Sequence, residues 1–348
     1  MENMEQDSQR LIEQALQLHA TDIHLQPGRK RTRLFFRIHG RLRLMGSMSI
    51  RYAERLTAHY KFRAGMDIGE QRRPQNGSLS LKYTSTPVNL RFSTLPSFRR
   101  ESLAVRLLPQ HEYFQLSSLS YTSDVTSHFS SLLDRRNGML ILTGPTGSGK
   151  TTTLYAFLHE LTGRGARIVS VEDPVEIQNE SYIQTEVNEK AGLTYRELLK
   201  SSLRHDPDVL MIGEIRDEHT AAMAVRAALT GHLVLTTMHA GSAHGAVQRL
   251  LDFGCLPSDL RENLLCITSQ ELVPRYCPLC KRQPCSIYCT HYKHTSRTAL
   301  FDILTAKELQ QCLEGRSSSV TVSKHNQWVK GYSLGLFQPD SDKEQMYV

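Results

Sequence analysis

Residues Gly144-Pro145-Thr146-Gly147-Ser148-Gly149-Lys150-Thr151 fit the pattern G-x-x-x-x-G-K-[ST] between an apolar run, Met139–Thr143, and a helix-patterned stretch, Lys150–Leu161. A loop of this kind works only where a strand hands over to a helix, so it dictates α/β order around itself. The glycines let the backbone turn about a phosphate chain with successive N–H groups aimed inward, and the helix that follows adds the positive end of its dipole. In that reading Lys150 holds the β- and γ-phosphates of a nucleotide, Thr151 puts its hydroxyl into a Mg²⁺ shell, and Thr152 continues the binding turn. A chance glycine-rich turn would not also bring the strand, the Lys-Thr pair and the helix.

The flanking pattern agrees. Ile168–Glu172, Val209–Ile212 and Leu233–Thr237 read as strands, and Thr220–Leu229 and Ala243–Asp252 as helices. The strands are continuous apolar runs without alternation, as a parallel sheet covered on both faces requires. Such a sheet meets its ligands at the carboxyl ends of its strands. Glu172-Asp173 stand at one such end and Glu214 at another. Glu214 is the expected nucleotide-site acid, with Asp208 left in a structural turn; ordinary solvated carboxylates are the alternative. His239, just past Leu233–Thr237, either senses the γ-phosphate or caps a loop, and His232 is equally readable as a core histidine.

The first third is different. Residues 8–19 have helical spacing, Leu34–Ile38, His39-Gly40 and Arg41–Met45 read as strand, tight turn and strand, and Ser78–Tyr83, Val88–Thr94 and Leu103–Leu108 add three strands. The Ser-rich stretch that follows Pro109 places a boundary near residues 109–120. Charge divides at the same place. Residues 1–110 carry 19 Lys/Arg against 9 Asp/Glu, whereas residues 111–348 carry 23 against 26. Runs such as Arg29-Lys30-Arg31 admit a nucleic-acid or anionic-lipid reading, with a solvated surface as the plain alternative.

Four of the seven cysteines form Cys277-x2-Cys280-x4-Cys285-x3-Cys289, a spacing able to close a tetrahedral Zn²⁺ site. Free or partly oxidised thiols are the alternative, and His291 or His294 could replace a ligand. Cys255, Cys266 and Cys312 read as small core residues. With 39% hydrophobic and 22% charged residues, wholesale disorder is excluded. No apolar run approaches the ~20 residues of a membrane-spanning helix. The acidic, polar start MENMEQDSQR is unlike a signal peptide, so a cytoplasmic chain with at most a peripheral membrane role is expected.

The ordered motifs resemble those of the type II secretion and type IV pilus ATPases. In the N-terminal part these are Ala20–Leu25, Pro74–Gly77, Leu90–Pro96 and Val105–Leu108. In the motor half they are Gly144–Thr151, Val171–Glu176, Leu203–Asp208, Gly213–Asp217 and the histidine box Thr230–His239. The resemblance implies a PAS-like mixed α/β N-terminal domain (residues 1–110), a linker (111–120) and a RecA-like P-loop ATPase core (121–270). A cysteine-rich zinc segment (271–295) and a C-terminal helical subdomain with a polar tail (296–348) complete the expected order. It also implies a homo-hexamer on the cytoplasmic face of the membrane, a polytopic platform protein as partner, and pilin-like subunits engaged indirectly. Direct nucleic-acid binding is not expected.

For the site, the resemblance implies Glu172 and Glu214 at Mg²⁺ and the attacking water, His239 near the γ-phosphate, and the N-terminal arginines Arg91 and Arg106 reaching the nucleotide. The chain starts almost at Asp22-Ile23-His24, without the extra docking domain of longer relatives. This compact form is most similar to the branch that powers competence pili in Gram-positive bacteria. There are departures. Ala240-Gly241-Ser242-Ala243 stands where Thr-Asn-Asp-Ala is usual, His205 replaces the commoner Gln before Asp206, and Arg297–Asp302 does not fit the family's Gly-Arg-x-Gly-x-x-Glu. A pilus retraction motor and a DNA translocase are the rival readings. Against the former, no Ala-Ile-Arg-Asn-Leu-Ile-Arg-Glu-like helix follows residue 270.

Overall fold

The computed structural model describes residues 4–83, 86–98, 100–110, 115–281, 286, 289, 297–316 and 318–337. The chain divides into two compact units, Met1–Glu112 with Cys277–Ser296, and Tyr113–Tyr276 with Arg297–Val348.

In the first unit, α1 (Met4–Gln17) precedes β1 (Ala20–Pro27), β2 (Arg31–Ile38) and β3 (Arg41–Ser49). Then come α2 (Ile50–Arg63), β4 (Gln75–Tyr83), β5 (Thr86–Pro96) and β6 (Glu101–Pro109). The strands form one antiparallel sheet in the order β3-β2-β1-β6-β5-β4. Period-two alternation sends Ile23, Leu25, Phe36, Ile38, Leu90, Phe92, Val105 and Leu107 into one core with Ile12 of α1 and Leu56 and Tyr60 of α2. The residues between them, including Asp22, Arg37, Arg91 and Arg106, therefore lie on the other face. His39-Gly40, both at positive φ, make the two-residue hairpin turn between β2 and β3.

Two elements here escape the hydrophobic pattern. The strand β1 is one, and α2 is the other, because Arg, His and Lys interrupt its apolar stripe. Its usable signal is Ser49, whose hydroxyl accepts from the Tyr52 N–H at 3.2 Å as an N-cap. Lys61 of α2 is fully buried, with its ammonium 3.0 Å from Glu101 and 2.6 Å from the Glu70 carbonyl. Removing either charge of such a pair costs about 3–5 kcal/mol.

In the second unit the order is α3 (Ser123–Leu133), β7 (Gly138–Thr143), α4 (Lys150–Gly163), β8 (Ile168–Glu172), β9 (Ile183–Glu186), α5 (Tyr195–Ser202) and β10 (Val209–Ile215). It continues with α6 (Glu218–Leu229), β11 (Leu233–Met238), α7 (Ala243–Asp252), α8 (Pro257–Asn263), β12 (Leu264–Pro274), β13 (Arg297–Thr305), α9 (Ala306–Leu313) and α10 (Lys324–Ser333). The seven strands lie in the order β13-β12-β7-β11-β10-β8-β9, parallel except for β13. Every residue of β7 and β11 is buried. Met139 and Ile141 face one hydrophobic cluster and Leu140 and Leu142 the other, so the sheet has a core on each side. Phe129 of α3 packs edge-on against both Phe157 of α4 and Phe301 of β13.

The expected C-terminal helical subdomain needs correction at its start. Arg297–Thr305 is a strand, pairing antiparallel with β12 from Pro274↔Arg297 to Cys266↔Thr305. Its Ala299, Leu300, Phe301, Ile303 and Leu304 are buried, because this strand covers the edge that β12 would otherwise expose. Among the described residues no helix is long and apolar enough to cross a membrane.

Candidate functional site

The loop 144–149 connects β7 to α4 at the carboxyl end of the parallel sheet. Gly144, Gly147 and Gly149 have φ of +138°, +78° and +89°, and Gly149 caps α4 in the left-handed region. A Cβ on Gly144 would lie 2.3 Å from the carbonyl oxygen of Gln270, and one on Gly149 would lie 2.9 Å from its side-chain nitrogen. Gln270 is thus the floor of the loop. It is 2% exposed, and its Oε1 accepts from the Thr153 hydroxyl of α4 at 2.9 Å.

Lys150 is turned inward, with its Nζ donating to the carbonyls of Gly144 at 2.8 Å and Pro145 at 3.1 Å. Burial lowers its pKa, with the charge of Glu214 pulling the other way. Among the described residues, the buried Ser148 hydroxyl has no hydrogen-bond partner. An orphaned donor inside a ring of positive-φ glycines, beside a lysine held by two backbone carbonyls, fits a phosphate ligand.

The ends of β8, β10 and β11 bring four side chains together. His239 Nε2 lies 3.1 Å from Glu214 Oε2, Arg216 pairs with the other Glu214 oxygen, and Arg216 Nη1 reaches Asp173 Oδ2 at 3.1 Å. Hydrogen bonding to Glu214 raises the Arg216 pKa. The parts are braced from below. The Thr143 hydroxyl bridges the backbone C=O and N–H of Ala240, both at 2.9 Å, and Thr237 Oγ1 donates to the Gly213 carbonyl at 2.8 Å. Arg249 Nη1 holds the His239 carbonyl at 3.0 Å. The unusual Ala240-Gly241 sequence therefore leaves the loop anchored through its backbone.

Glu172 behaves differently from Glu214. It is 3% exposed, and its oxygens accept from Tyr155 OH at 2.5 Å, Ser170 Oγ at 2.7 Å and Gln184 Nε2 at 3.2 Å. Burial raises its pKa, and the three hydrogen bonds act against that shift. Both oxygens are engaged inside the protein in this state. Asp208 accepts from the Arg167 N–H at 2.7 Å, and His232 sits in the turn before β11, its Nδ1 near the Ala227 carbonyl and the Thr230 hydroxyl. Gln270 and Arg216 are the members that sequence reasoning passed over. Arg216 stood in the quoted Gly213–Asp217 motif, whereas nothing in the local sequence of Gln270 marks it.

In the first unit Arg91 and Arg106 face each other across β5 and β6, and Arg106 pairs with Asp22 of β1. Arg106 Nε is 3.0 Å from Asp22 Oδ1, and Arg37 Nε is 3.6 Å from Oδ2. One carboxylate serves two guanidinium groups. In the cysteine segment, the sulfurs of Cys277, Cys280 and Cys289 lie within 4.8 Å of one another; Cys285, His291 and His294 fall outside the described residues. The Cys280 N–H donates to Cys277 Sγ at 3.4 Å.

The chain matches the family described as Type II/IV secretion system protein over residues 1–334. It belongs to that family. This member is a P-loop ATPase, hydrolysing ATP to ADP and phosphate, and the family's chemistry implies Mg²⁺ with the nucleotide. It is 48% identical to competence protein ComGA of Halalkalibacterium halodurans over 321 residues, 92% of each chain. With competence protein ComGA of Bacillus subtilis it shares 42% identity, covering 100% of this chain and 99% of that one. The fold is similar to the Legionella pneumophila ATPase DotB, with a TM-score of 0.74 at 20% identity, covering 95% of this chain and 92% of the other.

Proposed function

We propose that this family member is the motor that powers assembly of a competence pilus, or of the related type II secretion pseudopilus, working as a homo-hexamer on a polytopic membrane platform protein at the cytoplasmic face. The first unit is its PAS-like domain and the second its RecA-like core, with a cysteine-rich segment between β12 and β13. The convergence of the 144–151 loop with Glu214, His239 and Asp173 at one end of the parallel sheet carries this reading. Near-complete alignment with two competence proteins supports the system it serves.

The loop amides and Lys150 bind and orient the triphosphate, which requires Lys150 to exchange its two carbonyl partners for phosphate oxygens. Mg²⁺, when bound through Thr151, neutralises charge on the β- and γ-phosphates. Glu214 orients the attacking water once Arg216 releases it, and His239 holds the other side of that carboxylate. Glu172 fixes Tyr155 on α4 and Gln184 on β9, and so acts on the site through their positions. Arg91 and Arg106 serve the nucleotide of an assembled ring.

For the cysteines, the 3.6 Å between Cys277 Sγ and Cys289 Sγ supports a metal clasp. A disulfide would need about 2.05 Å. Two sulfurs of a tetrahedral zinc site with Zn–S of about 2.3 Å stand ~3.8 Å apart. Zn²⁺ held by Cys277, Cys280, Cys285 and Cys289 would stabilise a segment too small for a core of its own.

The test is replacement of the chromosomal gene by Lys150→Ala. Cells should lose surface pili and transformation together. Accumulation of pili would make the protein a retraction motor, and normal piliation, with DNA-stimulated hydrolysis by the wild-type protein, would make it a translocase.

A further inference from the structure

Between Asp22 and Glu54 the chain has eight Lys/Arg and no acid: Arg29, Lys30, Arg31, Arg33, Arg37, Arg41, Arg43 and Arg51. All but Arg51 fall on β2, β3 and the turn that leads into them. Among the described residues, Arg37 alone of the eight reaches a carboxylate, the Asp22 it shares with Arg106. Arg29, Lys30, Arg33 and Arg41 are exposed.

The fold adds apolar surface to that charge. β3 is an edge strand, and Phe35 and Leu44 pair across β2 and β3 on the face turned away from the helices, as do Arg37 and Leu42. Leu42 is 48% exposed and Leu44 62% exposed. Arg33 lies over the Phe35 ring at 5.7 Å, and Arg31 is tied to Ser47 by two hydrogen bonds of 2.8 Å, so both are held on the face that carries the leucines, whereas Arg41 and Arg43, opposite Ile38 and Phe36, lie on the other face.

We propose that this β2–β3 edge docks on an anionic bilayer surface, with Leu42 and Leu44 entering the headgroup layer and Lys30, Arg31 and Arg33 meeting acidic lipid phosphates. Cations near such a surface each add attraction within a Debye length. Charged residues on an edge strand also prevent strand pairing, but that role does not account for two exposed leucines beside them. A single-stranded nucleic-acid surface would set accessible aromatic rings among its cations. Here the single aromatic side chain of the patch, Phe35, is covered by Arg33. The docking depends on charge and exposure alone, and it stands or falls separately from the motor role.

Co-sedimentation of the full chain with vesicles of phosphatidylglycerol and phosphatidylcholine in equal parts, against phosphatidylcholine alone, tests it. Binding should be confined to the anionic vesicles and be lost on going from ~0.1 M to ~1 M salt as the Debye length shrinks from about 10 to 3 Å. Lys30→Glu with Arg33→Glu should lower binding about tenfold or more. Leu42→Ser with Leu44→Ser should lower it several-fold at unchanged charge. Basal ATP hydrolysis and melting temperature should be unaltered in both, which separates lost docking from lost folding. Equal binding by the charge-reversed variant, or none by the wild type, overturns the proposal. So does displacement from vesicles by duplex DNA together with indifference to the leucine changes, which would make the edge a nucleic-acid surface.

Discussion

The hydroxyl of Thr153, on the first turn of α4, donates to the side-chain oxygen of Gln270 on β12 at 2.9 Å, both groups being buried. Residues 117 positions apart thereby fix the height of the phosphate loop above the sheet. Gln270→Leu should strand the Thr153 hydroxyl and cost ~1–3 kcal/mol, seen as a lower melting temperature and weaker binding of a fluorescent ATP analogue. Adding Thr153→Val removes the orphan and should recover part of the stability but not the affinity. Wild-type values in Gln270→Leu would remove it from the site.

Three substitutions separate roles in the second unit. Lys150→Ala should abolish turnover with the fold intact. Glu214→Gln should bind ATP and stall, since the amide keeps its size but loses the charge that orients water. Glu172→Ala should instead unfold earlier, because Tyr155, Ser170 and Gln184 all lose their acceptor. Calorimetry and single-turnover hydrolysis on the same preparations decide. An unchanged melting temperature with collapsed turnover in Glu172→Ala would make that residue catalytic.

Arg91→Ala and Arg106→Ala should lower turnover far more than ATP affinity. An arginine supplied to the γ-phosphate in the transition state is worth ~10³–10⁵ in rate. Specific activity of the wild type should rise with protein concentration as rings form. Activity that survives both substitutions and is flat with concentration would leave the two arginines as sheet-surface residues.

Protein purified without chelator should carry one zinc per chain. Removing the metal should lower the melting temperature of that preparation, since thiolate coordination is folding energy for so small a segment. Elemental analysis near zero in reduced protein would leave the cysteines as free thiols.

Acid should weaken the first unit through His24. Among the described residues its buried Nε2 has no partner, and burial lowers its pKa below 6.5, opposed by Asp22 and helped by Arg37 and Arg106. Between that lowered value and about 6.5 the unfolded chain binds the proton and the folded one does not, so stability is full above the window and falls as pH drops through it. The melting temperature should therefore fall less from pH 7.5 to 5.5 in His24→Gln than in the wild type. Equal losses would show that His24 is not the group responsible.

The local sequence carries the loop, because glycines at fixed offsets and a Lys-Thr pair between strand and helix are a short-range statement about backbone and charge. It carries the inner strands as well: β7 and β11 are buried on both faces, and such strands are written as unbroken apolar runs. The place of β13 is not written that way. Arg297–Thr305 becomes a strand because the edge of β12 needs a partner, which is a long-range demand. Gln270 meets the loop through register between distant strands, and Glu172 and Glu214, alike as strand-end acids, part company only because Tyr155, Ser170 and Gln184 close around one of them. Which side chains are neighbours across a sheet depends on strand order and pairing, so the burial that sets each carboxylate's partners is decided by the tertiary structure.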